Sequence, residues 1–267
     1  MHPCELVTRR PTTADSKKAF ESQRGKFKKE AQRIHDLHNA HIVAVSDLFD
    51  ENNTSYYVMT YIDGKSLDEV LKSIHRPMTE SDVKKMLFDV LDALSTAYSV
   101  NPPIYHLDIT PRNIMVDKSG KCILIDFGAS KQPDPDGNFT TTSMPFSERY
   151  APLEQLTKDF ENIGRWTDFY SLGATMYALL TNDYPPSPYS IMADHTPDKS
   201  KSIVLPSNVS KDTRELIVWM MQPEGKDRPH TIEQISGWYK RKEDLRQKML
   251  ALEKQKKEEE ERQKNSL

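Results

Sequence analysis

HLDITPRNIM, residues 106–115, sets an imidazole, a carboxylate two positions on and a side-chain amide five further at the start of an apolar run. Thirteen residues past Asn113, after the turn DKSG and the strand-like KCILID (121–126), a second carboxylate arrives in Asp126-Phe127-Gly128. Either short motif alone is a weak signal. Together, at this spacing and with a strand between them, they are specific, and the rest of the chain can be laid out around them.

Upstream, Phe20, Phe27, Ala31, Ile34 and Leu37 recur at spacings that put them on one face of a helix. HIVAVSDLF (41–49) and SYYVMTYI (55–62) are β-branched and aromatic and read as strands joined by the polar turn DENNT. One helix and two paired strands make a small lobe. DGKSL (63–67) is a turn into the short helix LDEVLKSI. Thr79, with Asp82 three residues on, has the pattern of an N-cap, and Val83, Met86, Leu87, Val90, Leu91, Leu94 and Tyr98 follow helical spacing until NPP (101–103) stops them. Downstream, residues 128–147 form a long polar loop, of a kind that is usually functional or disordered. WTDFYSLGATMYALLT (166–181) reads as a central core helix, and TRELIVWMMQ (213–222) and HTIEQISGWY (230–239) as further helices. From Lys240 the chain is nearly all charged or amide residues. Its seam of Leu245, Met249 and Leu252 is too short for a coiled coil, which needs three or four heptads.

The bulk numbers narrow the function classes. The 267 residues suit one large domain or two small ones. A net charge of −3 gives no basic field for nucleic acid. No stretch approaches the ~18–20 apolar residues of a membrane span, and the N-terminus lacks the apolar segment of a secretory signal. Cys4 and Cys122 lie far apart without zinc-ligand spacing, which points to a reducing, cytoplasmic setting; Cys122 reads as a small core residue. The nine glycines never lie closer than eight residues apart, so neither GxGxxG nor GxxxxGK[ST] exists in the chain.

HLDITPRN and DFG resemble the catalytic loop and metal motif of the protein kinase family, in its bacterial serine/threonine form. The resemblance covers about residues 1–240. It implies an α+β, two-lobed fold: a truncated small lobe over 1–62, a mainly helical large lobe over 63–239, and a charged helical or disordered tail over 240–267 that could hold a partner. It implies transfer of the γ-phosphate of ATP to a protein hydroxyl with Mg²⁺, because phosphoryl transfer is mostly positioning and charge neutralisation. On this likeness Asp108 is the base that holds the attacking hydroxyl, and Asn113 and Asp126 are the metal ligands. Met59 stands at the gatekeeper position, Thr60, Tyr61 and Ile62 form the hinge that reads adenine, and Met115 is the pocket floor. His106 braces the loop, Phe127 packs inward, and Gly128 completes the metal motif. Glu154 in RYAPLEQ pairs with Arg228 in KDRPH, and Asp168 holds the catalytic-loop backbone. Aminoglycoside- and choline-type kinases share HxDxxxxN but not these later motifs.

The pattern also breaks. The glycine-rich hairpin and the lysine-bearing strand of the family are missing, so Glu30, which matches the glutamate that pairs with that lysine, lacks its partner. Losing two or three charge-assisted bonds to phosphate corresponds to roughly 10²–10⁵ weaker nucleotide binding. The chain then reads as truncated at an internal methionine, as borrowing a partner strand, or as a degenerate kinase. A pseudokinase or protein-binding module is the alternative to an enzyme. Leu107 replaces the arginine that clamps a phosphorylated activation loop, so activity is expected not to depend on phosphorylation of Thr140, Thr141, Thr142 or Ser143. Thr110 stands where a lysine would face the transferred phosphate.

Overall fold

The computed structural model describes residues 14–127, 146–196, 201–245 and 247–249. Gly128, Thr140–Ser143 and the end of the tail lie outside the described residues, as does the side chain of Glu30.

The small lobe holds helix α1 (Ala14–His35) and strands β1 (Val45–Glu51) and β2 (Thr54–Met59), paired antiparallel. The turn between the strands is Asn52-Asn53, both in the left-handed region at φ 51° and 61°. Two left-handed residues give the hairpin the twist its strands need, and asparagine tolerates that backbone. Ala31 and Ile34 of α1 and Leu37 beyond it are buried, and Phe27 meets Tyr57 of β2 at a ring separation of 5.0 Å.

The strand expected from His41 begins only at Val45. Residues 41–43 take a different partner: the Leu124 N–H donates to the His41 carbonyl (2.8 Å) and the Val43 N–H to the Leu124 carbonyl (3.1 Å). His41 also places Nδ1 2.7 Å from the Cys122 carbonyl. The run is uniformly β-like, but its first part is tied to the large lobe rather than to the hairpin.

A second sheet carries the candidate site. Its order is β3 (Gly64–Ser66), β4 (Ile114–Asp117), β5 (Cys122–Leu124), all antiparallel. DGKSL is therefore more than a turn. Gly64 is required there, because a Cβ would lie 2.1 Å from the Val116 carbonyl oxygen. Ser66 then caps α2 (Leu67–Ile74) in a reciprocal capping box with Glu69.

In the large lobe, Thr79 caps α3 (Glu80–Ser99) by accepting the Asp82 N–H, and the seven residues read as one helical face are all buried. Short α4 (Leu153–Leu156) leads to α5 (Arg165–Thr181), which is buried on nearly every side, as an all-round apolar helix must be. Helices α6 (Pro188–Ala193), α7 (Lys211–Met220) and α8 (Ile232–Ser236) complete the lobe. Gly173 lets α5 and α7 approach closely, since a Cβ would sit 2.8 Å from that of Met220. The helix expected over 230–239 stops at Gly237 and resumes over 238–245. One apolar core runs from Ile34 and Ile42 through α3 and α5 to α7. Among the described residues no helix is long and apolar enough to cross a membrane.

Glu80 staples the start of α3 to the start of α7. It accepts from the Ser210 N–H (2.8 Å), from the Ser210 hydroxyl (2.6 Å) and from the Thr213 hydroxyl (2.5 Å), and it pairs with Lys84 at 2.7 Å. Burial alone would raise the Glu80 carboxyl, but the bonds from Lys84, Ser210 and Thr213 outweigh it and bring the pKa from 4.5 down to about 2. A depressed folded-state pKa is stability present above the unfolded value and lost as pH falls through the folded one. Its worth is of order 2–3 kcal/mol. Acid titration of the unfolding free energy should therefore show this loss between pH 4.5 and about 2, and Glu80→Gln should flatten the curve across that window.

Candidate active site

Asp168, on the first turn of α5, fixes the loop that opens the quoted stretch. Its Oδ1 accepts the Leu107 N–H (2.7 Å), and its Oδ2 accepts the His106 N–H (2.9 Å) and the Tyr98 hydroxyl (2.8 Å). Burial pushes the Asp168 pKa up, while the His106 ring and these donors pull the other way. Gln155 grips the far side of the same residue, donating from Nε2 to the Leu107 carbonyl at 2.8 Å. Held from both sides, Leu107 adopts φ 64°, a left-handed backbone that costs of order 1–3 kcal/mol for a non-glycine residue. Asp126 is left-handed too, at φ 58°.

His106 is fully buried. Its Nε2 lies 3.1 Å from the Ile125 carbonyl and its Nδ1 accepts the Asp108 N–H at 3.3 Å, which places the ring proton on Nε2. The ring packs against Phe127, also fully buried, at 4.6 Å. The imidazole thereby joins the loop of Asp108 to the strand that delivers Asp126. Asn113 makes the second joint: its carbonyl accepts the Ile125 N–H at 2.9 Å. Its Nδ2 donates to the Asp108 carbonyl (2.9 Å) and to Asp108 Oδ2 (2.8 Å). The other Asp108 oxygen, Oδ1, accepts the Ser147 N–H at 2.8 Å. Asp108 and Asn113 are thus in direct contact, and the exposed Asp126 begins one residue beyond Ile125.

Glu154 and Arg228 form a buried pair, with Nη1 to Oε1 at 2.7 Å and Nη2 to Oε2 at 3.1 Å. Arg228 also donates to the carbonyls of Gln222 (2.6 Å) and Pro223 (2.6 Å), and the Thr167 hydroxyl donates to Glu154 Oε1 (2.9 Å). The fork ties α4 to the loop before α8. In place of a charged clamp, Leu107 packs with Ile163, Phe146 and Phe160.

Met115, in β4, is half-buried and lines an open groove of about 930 Å³ beside the catalytic loop. Met59 and Tyr61 are 54% and 85% exposed, so no roof covers these side chains among the described residues. The Thr60 N–H donates to the Ala44 carbonyl (2.8 Å), while the Thr60 carbonyl and the Ile62 N–H carry no hydrogen bond among the described residues. Sequence reasoning missed Tyr98, Gln155 and Ser147. Tyr98 read only as core, and the Ser147 contact is made by backbone, which leaves no side-chain signature.

An α+β architecture with a small sheeted lobe, a helical lobe and this loop between them is that of a protein kinase. The chain belongs to the protein kinase domain family, whose match spans residues 12–238. It is 30% identical over 219 residues to a probable serine/threonine-protein kinase of Clostridium perfringens, covering 79% of this chain and 31% of that protein. It is also 30% identical over 179 residues to the serine/threonine-protein kinase PknB of Mycobacterium tuberculosis, covering 64% and 28%. The chain therefore spans less than a third of these relatives. The solved structure of the PpkA-294 apo form superposes with a TM-score of 0.69 at 22% identity, covering 85% of this chain and 78% of that one, which establishes the shared fold.

Proposed function

We propose that this chain carries a magnesium-dependent site that moves the γ-phosphate of ATP to a serine or threonine hydroxyl of a protein. The joint between Asp108 and Asn113 carries the reading. Each Asp108 oxygen receives one N–H, from Asn113 or Ser147, which fixes the carboxylate and leaves a lone pair on each oxygen for the acceptor hydroxyl and its proton. Asn113 turns its Nδ2 end to Asp108, so its side-chain oxygen is left for a cation. With the Asp126 carboxylate this is an all-oxygen donor set that suits Mg²⁺, which takes one or two protein ligands and completes its shell with phosphates and water. When bound, the ion would neutralise polyphosphate charge. In an extended segment the Thr60 carbonyl and Ile62 N–H face the same side, an acceptor and a donor that complement the edge of adenine.

Thermal melting with Mg·ATP tests this. Binding to the native state should raise the melting temperature of the parent. Asp126→Ala should abolish the rise. Asp108→Asn should keep the rise but slow phosphoryl transfer by about 10²-fold or more. A rise that persists in Asp126→Ala would contradict the metal role, and no rise in the parent would favour the protein-binding alternative.

A further inference from the structure

We propose that Arg112 and Arg149 select acceptor proteins bearing aspartate or glutamate within about three residues of the target hydroxyl. The inference rests on the phosphotransferase reading of the Asp108 site and names its substrate class.

The groove beside the catalytic loop is lined by six charged residues, Asp68, Glu69, Lys72, Arg112, Glu148 and Arg149. Their bare sum is zero, but their commitments differ. Lys72 pairs with Asp68 at 2.6 Å. Glu69 is held in the capping box with Ser66. Arg112 is exposed and makes no hydrogen bond or ion pair among the described residues. Arg149 is exposed and rests on the Tyr184 ring at 3.8 Å, a contact that orients a guanidinium without neutralising it. Two uncommitted guanidiniums thus face one uncommitted carboxylate, Glu148.

The two arginines are also in the right place. Arg112 directly precedes Asn113, and Arg149 follows by two residues the Ser147 whose N–H holds Asp108. A bound peptide in extended form advances ~3.3–3.6 Å per residue. A hydroxyl delivered to Asp108 therefore carries its near neighbours past both guanidiniums, whose planar forks match carboxylates. A second observation marks the same wall as a polar surface awaiting a ligand: Thr110, only 1% exposed, lines the groove with its hydroxyl unbonded among the described residues.

The test is equilibrium binding of two fluorescent peptides to the full chain, without nucleotide. Each has one central serine, flanked by glutamates in one and by lysines in the other. The glutamate peptide should bind about tenfold or more tightly, and the preference should shrink with added salt. Arg112→Glu with Arg149→Glu should reverse the preference, and the milder pair Arg112→Gln with Arg149→Gln should abolish it, both without changing the melting temperature, since neither side chain supports the fold. Equal binding, a lysine preference, or a glutamate preference that survives both double variants would overturn the proposal. Binding is read without ATP, so a chain that transfers no phosphate still answers the question. Transfer to both peptides alike would defeat this inference while sparing the phosphotransferase reading.

Discussion

Arg228→Met should lower the free energy of unfolding by about 3–5 kcal/mol, measured by urea or guanidinium titration. The Arg228 side chain is wholly buried and the Glu154 side chain is 7% exposed. Removing the guanidinium strands a carboxylate in a medium that solvates it poorly, and losing one member of a buried pair costs about that much. A domain with a typical ~5–15 kcal/mol in hand would lose a third or more of it. Pairing the change with Glu154→Leu removes the stranded charge and should restore part of the loss. It should not restore all of it, because the Gln222 and Pro223 carbonyls still lose their donor. If the double variant is no more stable than the single one, the buried charge is not the cause.

Asp168→Ala should cost a similar ~3–5 kcal/mol, for a different reason. Three donors, the N–H groups of His106 and Leu107 and the Tyr98 hydroxyl, lose one shared acceptor inside the core. Each buried group left unpaired costs about 1–3 kcal/mol. The left-handed Leu107 loses one of its two restraints at the same time. Hydrogen exchange separates local from global effects: the amides of His106 and Leu107 should exchange faster in the variant under conditions where α5 stays protected. Tyr98→Phe removes only one donor and should cost about 1 kcal/mol. Unchanged protection of the Leu107 amide in Asp168→Ala would refute the anchoring role.

The elements legible in the sequence are those whose signal is local. The α3 face repeats at helical spacing, and every member of it is buried. The run containing Asp168 is apolar all round and forms the central helix. Asp108 and Asn113 could be paired because five residues of loop bring them together whatever surrounds them. What stayed hidden depends on distant backbone. β3 is three residues of Gly-Lys-Ser, with none of the β-branched character that marks a strand, and it exists because β4 offers it a ladder. His41–Val43 and Val45–Glu51 share one composition yet have different partners. Gln155 gives no hint in sequence that its amide meets the Leu107 carbonyl 48 positions away. The fold class is thus carried by patterns within single elements, whereas the strained bend at Leu107 is carried by contacts between them.

The stitching of residues 41–43 to Leu124 has a mechanical meaning. α1 ends six residues before His41, and Leu124 lies two residues before Asp126. Torque on α1 is therefore handed on through two hydrogen bonds and a few residues of chain to the carboxylate expected to hold the cation. In this architecture the helix is a lever and β5 its fulcrum, and whatever presses on the outer face of α1 is in a position to aim or misalign Asp126.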